Sequence, residues 1–302
     1  MLARKRLSFA ARRRLFSLAM ALPVAVYLLL VFAYPIAQEI YLSFTRARLL
    51  ERTPPVWVGL DNYLSLAESA KFWLVIGNTL FYAVAANAII IILALGLALL
   101  LNQAFHGRKL ARVITSLPWA FPEVAAVLVW SWMYNKDFGV MNVFAGWVPG
   151  ISENPNWLLD PWTAWFSIVL MTVWKIFPFF SLIILTALQL IDKELYAAAK
   201  IDGAGSLQLF RHITLPGIAP TLGIMILLIT IWGFRRFPII YLLTGGGPGV
   251  RTATLVVLTY ITAIRSLNIG LGAAMAIVGL IMSLLITVLY VFVTRRLGQA
   301  QI

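Results

Sequence analysis

Long apolar stretches alternate with short polar connectors along most of this chain. A helix that crosses a bilayer needs about 20 consecutive, mostly apolar residues. Six stretches meet that length and predict six transmembrane helices: Leu15–Pro35, Phe72–Leu101, Val113–Met133, Ala164–Ile191, Ile218–Phe234 and Ile269–Thr294. The second stretch is longer than a bilayer requires, which predicts a tilted or projecting helix.

The connectors between these helices complete a single predicted transmembrane domain over residues 1–302, an all-α integral membrane protein. They are a basic cytoplasmic tail (1–14), a cytoplasmic loop (192–214) and three external segments (36–71, 134–161 and 235–268). The tail and first apolar stretch also fit a signal peptide. The apolar run is too long for that and lacks a clear cleavage site, so we interpret it as a retained span.

Residues 192–214 form the most structured of the polar connectors. Asp192 can cap a helix that starts at Lys193, because its carboxylate accepts from free backbone N–H groups. Gly203 suits the left-handed position that ends helices. Ser206 can cap a second short helix, which should stop before Pro216. The pattern therefore predicts a helix–turn–helix beside the membrane.

Two external segments carry recognisable turn and interface residues. Trp147, Trp157 and Trp162 predict an interfacial aromatic belt in residues 134–161. The stretch TGGGPG predicts a tight, non-helical turn, followed by a short helix lying on the surface.

Composition excludes an ordinary soluble domain. Hydrophobic residues make up 62% of the chain and charged residues 12%, with a mean hydropathy of +0.91. The net charge of +13 comes from basic residues at the ends of apolar stretches, so it reports membrane topology and predicts no nucleic-acid partner. There are no cysteines, and the two histidines lie far apart, so we predict no metal site.

The distribution of basic residues predicts the orientation. With a cytoplasmic N-terminus, that side holds six basic residues in the tail and eight more, fourteen of the 24 in the chain. These eight are Arg108, Lys109, Arg112, Lys193, Lys200, Arg211, Arg295 and Arg296. The positive-inside rule thus places both termini and residues 192–214 in the cytoplasm.

The stretch ELYAAAKIDGAGSLQLFRHITLPGIAP resembles the signature loop of ATP-binding-cassette importer permeases. That pattern runs Glu-Ala-Ala, three residues, Gly, about nine residues, Ile, one residue, Leu-Pro, and one position departs from it: Ala197 stands where the pattern has Glu. The resemblance implies a coupling helix that docks on an ATPase subunit, with Glu194 as a possible replacement acid. The implied coupling residues are Glu194, Ala197, Ala198, Ala199, Asp202, Gly203, Ile213, Leu215 and Pro216.

Further stretches, including WVGLDNYL, LPWAFPEVAAVLVWSWMYN and IIYLLTGGGPGVRT, are similar to permeases of the carbohydrate-uptake group. That group includes the maltose and glycerol-3-phosphate systems, and the likeness is to the first permease of the pair. It implies a second permease, two ATPase subunits that bind ATP and Mg²⁺, an external substrate-binding protein and an inner-membrane location. The chain itself lacks a phosphate-binding G-x-x-x-x-G-K-[ST] loop, because TGGGPGVRT has no Gly-Lys pair.

Charged and aromatic residues in or directly beside the predicted spans are the candidates for a solute pathway, because intramembrane charge is costly. They are Glu123, Trp130, Lys175, Arg235, Arg236 and Tyr241. The two arginines suggest a sugar-like solute with an anionic group, since guanidinium binds carboxylate or phosphate. Alternatively, they mark the water boundary, Lys175 snorkels or pairs internally with Glu123, and the aromatics only pack.

Two other functions stay open on sequence grounds. An ion-driven secondary transporter would have helices broken near the midplane, but this chain has few buried acids and carries the docking loop. An importer for peptides or inorganic ions shares the loop signature. In every case we expect a transport subunit and not an enzyme.

Overall fold

The computed structural model describes residues 9–51, 53–147 and 155–299, and this part of the chain is mostly helical. Its regular elements are α1 (Phe9–Leu28), α2 (Tyr34–Ser43), β1 (Thr45–Arg46), β2 (Val56–Trp57), α3 (Asp61–Glu68), α4 (Ala70–Asn102), α5 (Arg108–Ala120), α6 (Glu123–Met133), α7 (Pro161–Gln189), α8 (Lys193–Ile201), α9 (Ser206–Leu209), α10 (Leu215–Phe234), α11 (Pro238–Thr244), α12 (Leu255–Tyr260) and α13 (Ile269–Gln299). A 3₁₀ segment covers Val140–Trp147, and π-helical turns cover Leu29–Ala33, Phe210–Thr214 and Ile261–Arg265.

Five helical segments are long and apolar enough to cross a membrane: Ala19–Ser43, Ala70–Asn102, Pro161–Gln189, Ser206–Thr244 and Ile269–Phe292. The predicted third span is instead a broken pair. Helices α5 and α6 meet at 90° across Phe121 and Pro122. The sequence predicted one span over Val113–Met133, and the structure divides this span into two helices at the bend.

Contacts with α7 favour one broken crossing over a re-entrant loop for α5 and α6. Trp119, at the end of α5, stacks on Phe179 with ring centroids 4.5 Å apart. The Tyr134 hydroxyl, just beyond α6, donates to the Ser167 carbonyl at 3.1 Å. The α5–α6 pair therefore runs antiparallel to α7, from Phe179 past the middle of α7 to Ser167. Together with the five segments above, it gives six crossings.

The core forms where α4 packs along α7. Small side chains recur on the buried face of α4, at Ala86, Ala94 and Ala98, and let the two backbones approach. A hydrogen bond of 2.9 Å between the hydroxyls of Tyr82 and Thr172 joins the two helices inside this apolar contact.

The connector after the first crossing is ordered by side-chain hydrogen bonds. β1 and β2 form a two-stranded antiparallel sheet. The Asn62 amide donates to the carbonyls of Ser43 and Thr45, both at 2.9 Å. A Cβ at Gly270, in the first turn of α13, would lie 2.0 Å from the Thr45 oxygen, so glycine is required at this contact. The first helix continues past Pro35 and reaches Ser43.

The turn in TGGGPG is held by a neighbouring helix. Gly245, Gly246 and Gly249 all have positive φ angles. The Asn78 amide on α4 donates to the carbonyls of Val250, Arg251 and Ala253 at 3.1–3.2 Å. The helix that follows, α12, buries Leu255, Val257 and Leu258, so the prediction of a surface helix was wrong.

Two further local expectations need correction. Trp157 is 1% exposed, and its indole donates to Asn142 at 2.8 Å, so it is a core residue and not part of a belt. Trp147 and Trp162 are exposed. The predicted end of a helix before Pro216 is absent, because α9 continues through a π-helical turn into α10. The π-helical turn ends just before α10, whose first turn contains Pro216. Proline has no N–H group, and this position of a helix tolerates its absence.

Candidate functional site

The break in the third crossing lies against the middle of α7. Pro122 has no N–H group for the Pro118 carbonyl, which a continuous helix would have bonded. The last carbonyls of α5 thus lack helical partners. The Lys175 ammonium donates to the carbonyls of Pro118 at 3.0 Å and Trp119 at 2.7 Å, and also to Phe121. Lys175 is 5% exposed, and its nitrogen is fully engaged with backbone.

Glu123 occupies the first turn of α6, directly after the break. An acid is favoured there because the helix dipole is positive at its N-terminus. Its carboxylate pairs with the Arg236 guanidinium at 3.4 Å, across to the residues that follow α10. The suggested pairing of Glu123 with Lys175 is therefore wrong: within the described ranges, Glu123 pairs with Arg236.

Neutral polar residues lie next to this charged pair, inside the helical bundle. Tyr82, Asn87, Thr172 and Arg236 line a cavity of about 10 Å³, and Asn87 donates to the Thr230 hydroxyl at 3.3 Å. The Arg236 Nε is buried and has no partner among the residues described. The sequence prediction had flagged only charges and aromatics. Neutral polar residues inside apolar spans were the signal that could have identified Tyr82, Asn87, Thr172 and Thr230.

The other pathway candidates lie apart from this cluster. Trp130 is 8% exposed and packs between Tyr134 and Trp174, with ring centroids 5.5 Å from each. Arg235 is exposed at the end of α10. Tyr241, on α11, accepts a hydrogen bond of 2.6 Å from Arg265 and stacks on Phe237.

The 192–214 segment forms a helix, a turn and a second helix. The Asp192 carboxylate caps α8 by accepting from the Glu194 N–H at 3.0 Å, as the sequence predicts. Gly203 has a φ of +83° at the turn. The second helix is capped at Gly205, whose N–H donates to the Gln208 side chain at 2.8 Å, so the predicted cap at Ser206 was wrong.

One face of this loop is open, and one contact ties it to the bundle. No residue of α8 is buried, and the apolar side chains of Leu195, Ile201 and Leu207 are exposed. The Tyr196 hydroxyl bonds to the Thr214 hydroxyl at 2.9 Å, just before α10. This hydrogen bond joins α8 to the start of the fifth crossing.

A cleft of about 320 Å³ opens between α8 and α9. It brings together four residues of the sequence-predicted coupling set and leaves five outside. Ala199, Asp202, Gly203 and Ile213 line it. Glu194, Ala197 and Ala198 lie on the exposed surface of α8, while Leu215 and Pro216 begin α10.

Six crossings, a broken third span and an exposed helical loop define a multi-pass membrane transport subunit. The chain belongs to the family of binding-protein-dependent transport system inner membrane components, whose model matches residues 88–299. It is accordingly an inner-membrane permease subunit and not an enzyme.

Relatives align over nearly the whole chain. The sulfoquinovosyl glycerol transport system permease SmoG of Agrobacterium fabrum is 33% identical over 282 residues, 93% of this chain and 91% of the relative. The trehalose/maltose permease MalF of Thermococcus litoralis is 36% identical over 276 residues, 91% and 92% of the two chains.

The fold also matches a solved transporter. A crystal structure of a bacterial alginate ABC transporter, in complex with an alginate pentasaccharide-bound periplasmic protein, superposes with a TM-score of 0.80. The match covers 95% of this chain and 96% of that one, at 23% identity. At that identity the likeness establishes the fold.

Proposed function

We propose that this chain is one permease of an ATP-driven importer for a sugar or sugar-like solute. It forms half of the pathway with a second, homologous permease, receives solute from an external binding protein and is driven by two ATPase subunits. The observation that carries the proposal is the family membership together with two sugar-transport relatives at 33% and 36% identity. ATP and Mg²⁺ bind to the partner ATPases.

The α8–α9 loop is the proposed docking element for an ATPase subunit. Exposed apolar side chains on these two short helices favour burial against another protein. The Tyr196–Thr214 hydrogen bond supports the same role, since it links α8 to the start of α10. This assignment places the loop and both termini in the cytoplasm, in agreement with the distribution of lysine and arginine.

We assign the missing acid of the docking pattern to Glu194. Glu194 lies one helical turn before Ala197 and Ala198, on the same exposed helix. Its carboxylate can therefore reach a basic group of the partner that would otherwise contact the position of Ala197.

The proposed solute pathway follows the polar cluster between the third, fourth and fifth crossings. A cavity of about 10 Å³ admits no sugar ring, so this chain encloses no pathway by itself and the solute must pass on the side shared with the second permease. Arg236 is already paired with Glu123, whereas Arg235 is exposed. An anionic group on the solute would therefore be met by Arg235.

A reconstituted four-component complex in proteoliposomes tests these assignments together. We expect the sugar-loaded binding protein to raise ATP hydrolysis, and Ala198→Cys to crosslink to an ATPase cysteine. Leu50→Cys is the matched control on the opposite side and should not crosslink. Arg235→Gln should reduce uptake of an acidic oligosaccharide and spare a neutral disaccharide. Transport by the chain alone, driven by an ion gradient, would contradict the proposal.

A further inference from the structure

Lys175 lies halfway along the 29-residue helix α7, at the depth where a charged side chain is most costly in a bilayer. Its ammonium has three N–H donors. Each donor has an acceptor, because the carbonyls of Pro118, Trp119 and Phe121 surround the nitrogen. The cation is therefore held by backbone from another helix, and it forms no salt bridge with a side chain in the described part of the chain.

Those carbonyls are available because of the break. The C-terminal end of α5 carries a partial negative charge from its unpaired carbonyl groups. Pro122 removes the donor for the Pro118 carbonyl, and the 90° bend removes the donors for the next ones. In a bilayer core there is no water to replace them, so each unpaired carbonyl costs several kcal/mol.

Broken helix ends of this kind bind inorganic cations in some membrane transporters. Here the chain provides the cation itself, on a flexible side chain. Straightening the third crossing would restore some helical hydrogen bonds but would leave the lysine charge unpaired. The bent form and the charged lysine thus stabilise each other.

The position of Glu123 depends on the same break. Glu123 is the first residue of α6, so the bend angle decides where its carboxylate points. In the bent form it meets Arg236 at 3.4 Å. A continuous helix over residues 108–133 would rotate and shift α6 away from this contact.

We propose that Lys175 is a positioning residue: its ammonium is a tethered cation that holds the third crossing broken and so places Glu123 against Arg236. It follows that Lys175→Ala leaves a site for a small primary ammonium ion. n-Propylammonium matches the part of the side chain that the substitution removes.

The distance between two spin labels tests the geometry without reference to transport. The chain has no cysteines, so Val113→Cys on α5 and Val129→Cys on α6 can be labelled cleanly. With a rise of about 1.5 Å per residue, these positions lie about 24 Å apart in a continuous helix and about 17 Å apart across the observed bend. Double electron–electron resonance on the complete chain in bilayers measures the difference.

We expect the short distance in the parent chain and in Lys175→Ala with n-propylammonium. A distance longer by about 7 Å, or a broad distribution reaching it, is expected in Lys175→Met and in Lys175→Ala without amine. Ser181→Ala is the matched control, because this buried hydroxyl of α7 bonds only within its own helix, to Pro178. It should keep the short distance. Identical distributions in Lys175→Met and the parent chain would overturn the proposal.

Chemical rescue provides the second readout. Lys175→Ala should lose transport roughly tenfold or more in the reconstituted complex, and n-propylammonium should restore it severalfold. Tetramethylammonium carries the same charge without N–H donors and should not. If Lys175→Ala folds only when n-propylammonium is present, that also supports the proposal. Folding and activity that are both indifferent to the amine would refute it, and the spin-label distance separates this failure from a failure of the proposed transport function.

Discussion

Glu123 and Arg236 carry opposite charges inside the bundle, with side chains 31% and 11% exposed. A charge in this setting is tolerated when it is paired, and removal of one partner leaves the other uncompensated. The Arg236 Nε already lacks a hydrogen-bond partner in the described residues, so its guanidinium depends on the carboxylate. The pair therefore stabilises the contact between α6 and the end of α10.

We expect Glu123→Gln to lower the thermal midpoint of the purified complex, and Glu123→Gln/Arg236→Gln to recover more than half of the loss. The coupling free energy should be on the order of 1 to 2 kcal/mol. The exposed neighbour Arg235→Gln is the control and should shift the midpoint little. Purely additive effects of the two single changes in the double variant would argue against the pair.

The sequence identified Glu123, Lys175 and Arg236 as important because charges inside apolar stretches are costly. It also placed a proline at the third crossing, which frees carbonyls. The sequence did not predict which of these charged groups contact each other. Three charges on three separate segments allow several arrangements. The bend angle decides that the Lys175 ammonium contacts backbone carbonyls while the Glu123 carboxylate contacts Arg236.

Helix α8 and its turn form the element that we propose docks on the ATPase subunit. Gly203 adopts a left-handed φ of +83°, whereas Gly205 has an ordinary φ of −75°. A side chain at a left-handed position costs about 1 to 2 kcal/mol. The two glycines are therefore a matched pair within one loop.

Gly203→Ala should reduce transport per ATP hydrolysed, because it strains the turn that orients α8 toward α9. Gly205→Ala should behave almost as the parent chain, since its Cβ would lie 3.8 Å from the nearest atom, the Gln208 oxygen. The ratio of solute uptake to phosphate release in proteoliposomes measures the effect. Equal ratios in both variants would contradict this role for the turn.

The hydrophobic pattern predicted where each element lies, because a bilayer requires long apolar runs. The same pattern did not predict which prolines break a helix. Pro122 breaks the third crossing by 90°, yet Pro178 and Pro220 lie inside continuous helices. The difference comes from tertiary partners: the end at Pro122 is stabilised by Lys175, a residue far away in sequence.

In the proposed topology, six crossings place both ends of the described chain on the same side of the membrane. If the broken pair were a re-entrant loop, the segments before and after it would share one side. Phe105 precedes α5 and Phe138 follows α6, and both side chains are exposed. Their accessibility therefore distinguishes the two topologies.

We expect a membrane-impermeant maleimide to label Leu50→Cys, Phe138→Cys and Leu159→Cys in intact cells. Phe105→Cys, Leu190→Cys and Ile201→Cys should react only after the membrane is permeabilised. The absence of native cysteines removes background labelling. Labelling of Phe105→Cys and Phe138→Cys from one side would rule out a broken crossing, and a complete reversal would invert the proposed orientation.

The break also has a consequence for how the chain enters the membrane. Its two halves, 13 and 11 residues long, are each too short to cross alone. Synthesis proceeds from the N-terminus, so the free carbonyls of the third crossing leave the ribosome before Lys175 does. Insertion of a lone lysine at the centre of a helix costs about 2.5 to 3.5 kcal/mol. We therefore expect the third and fourth crossings to insert as one hairpin, in which the earlier helix holds the acceptors for the later one.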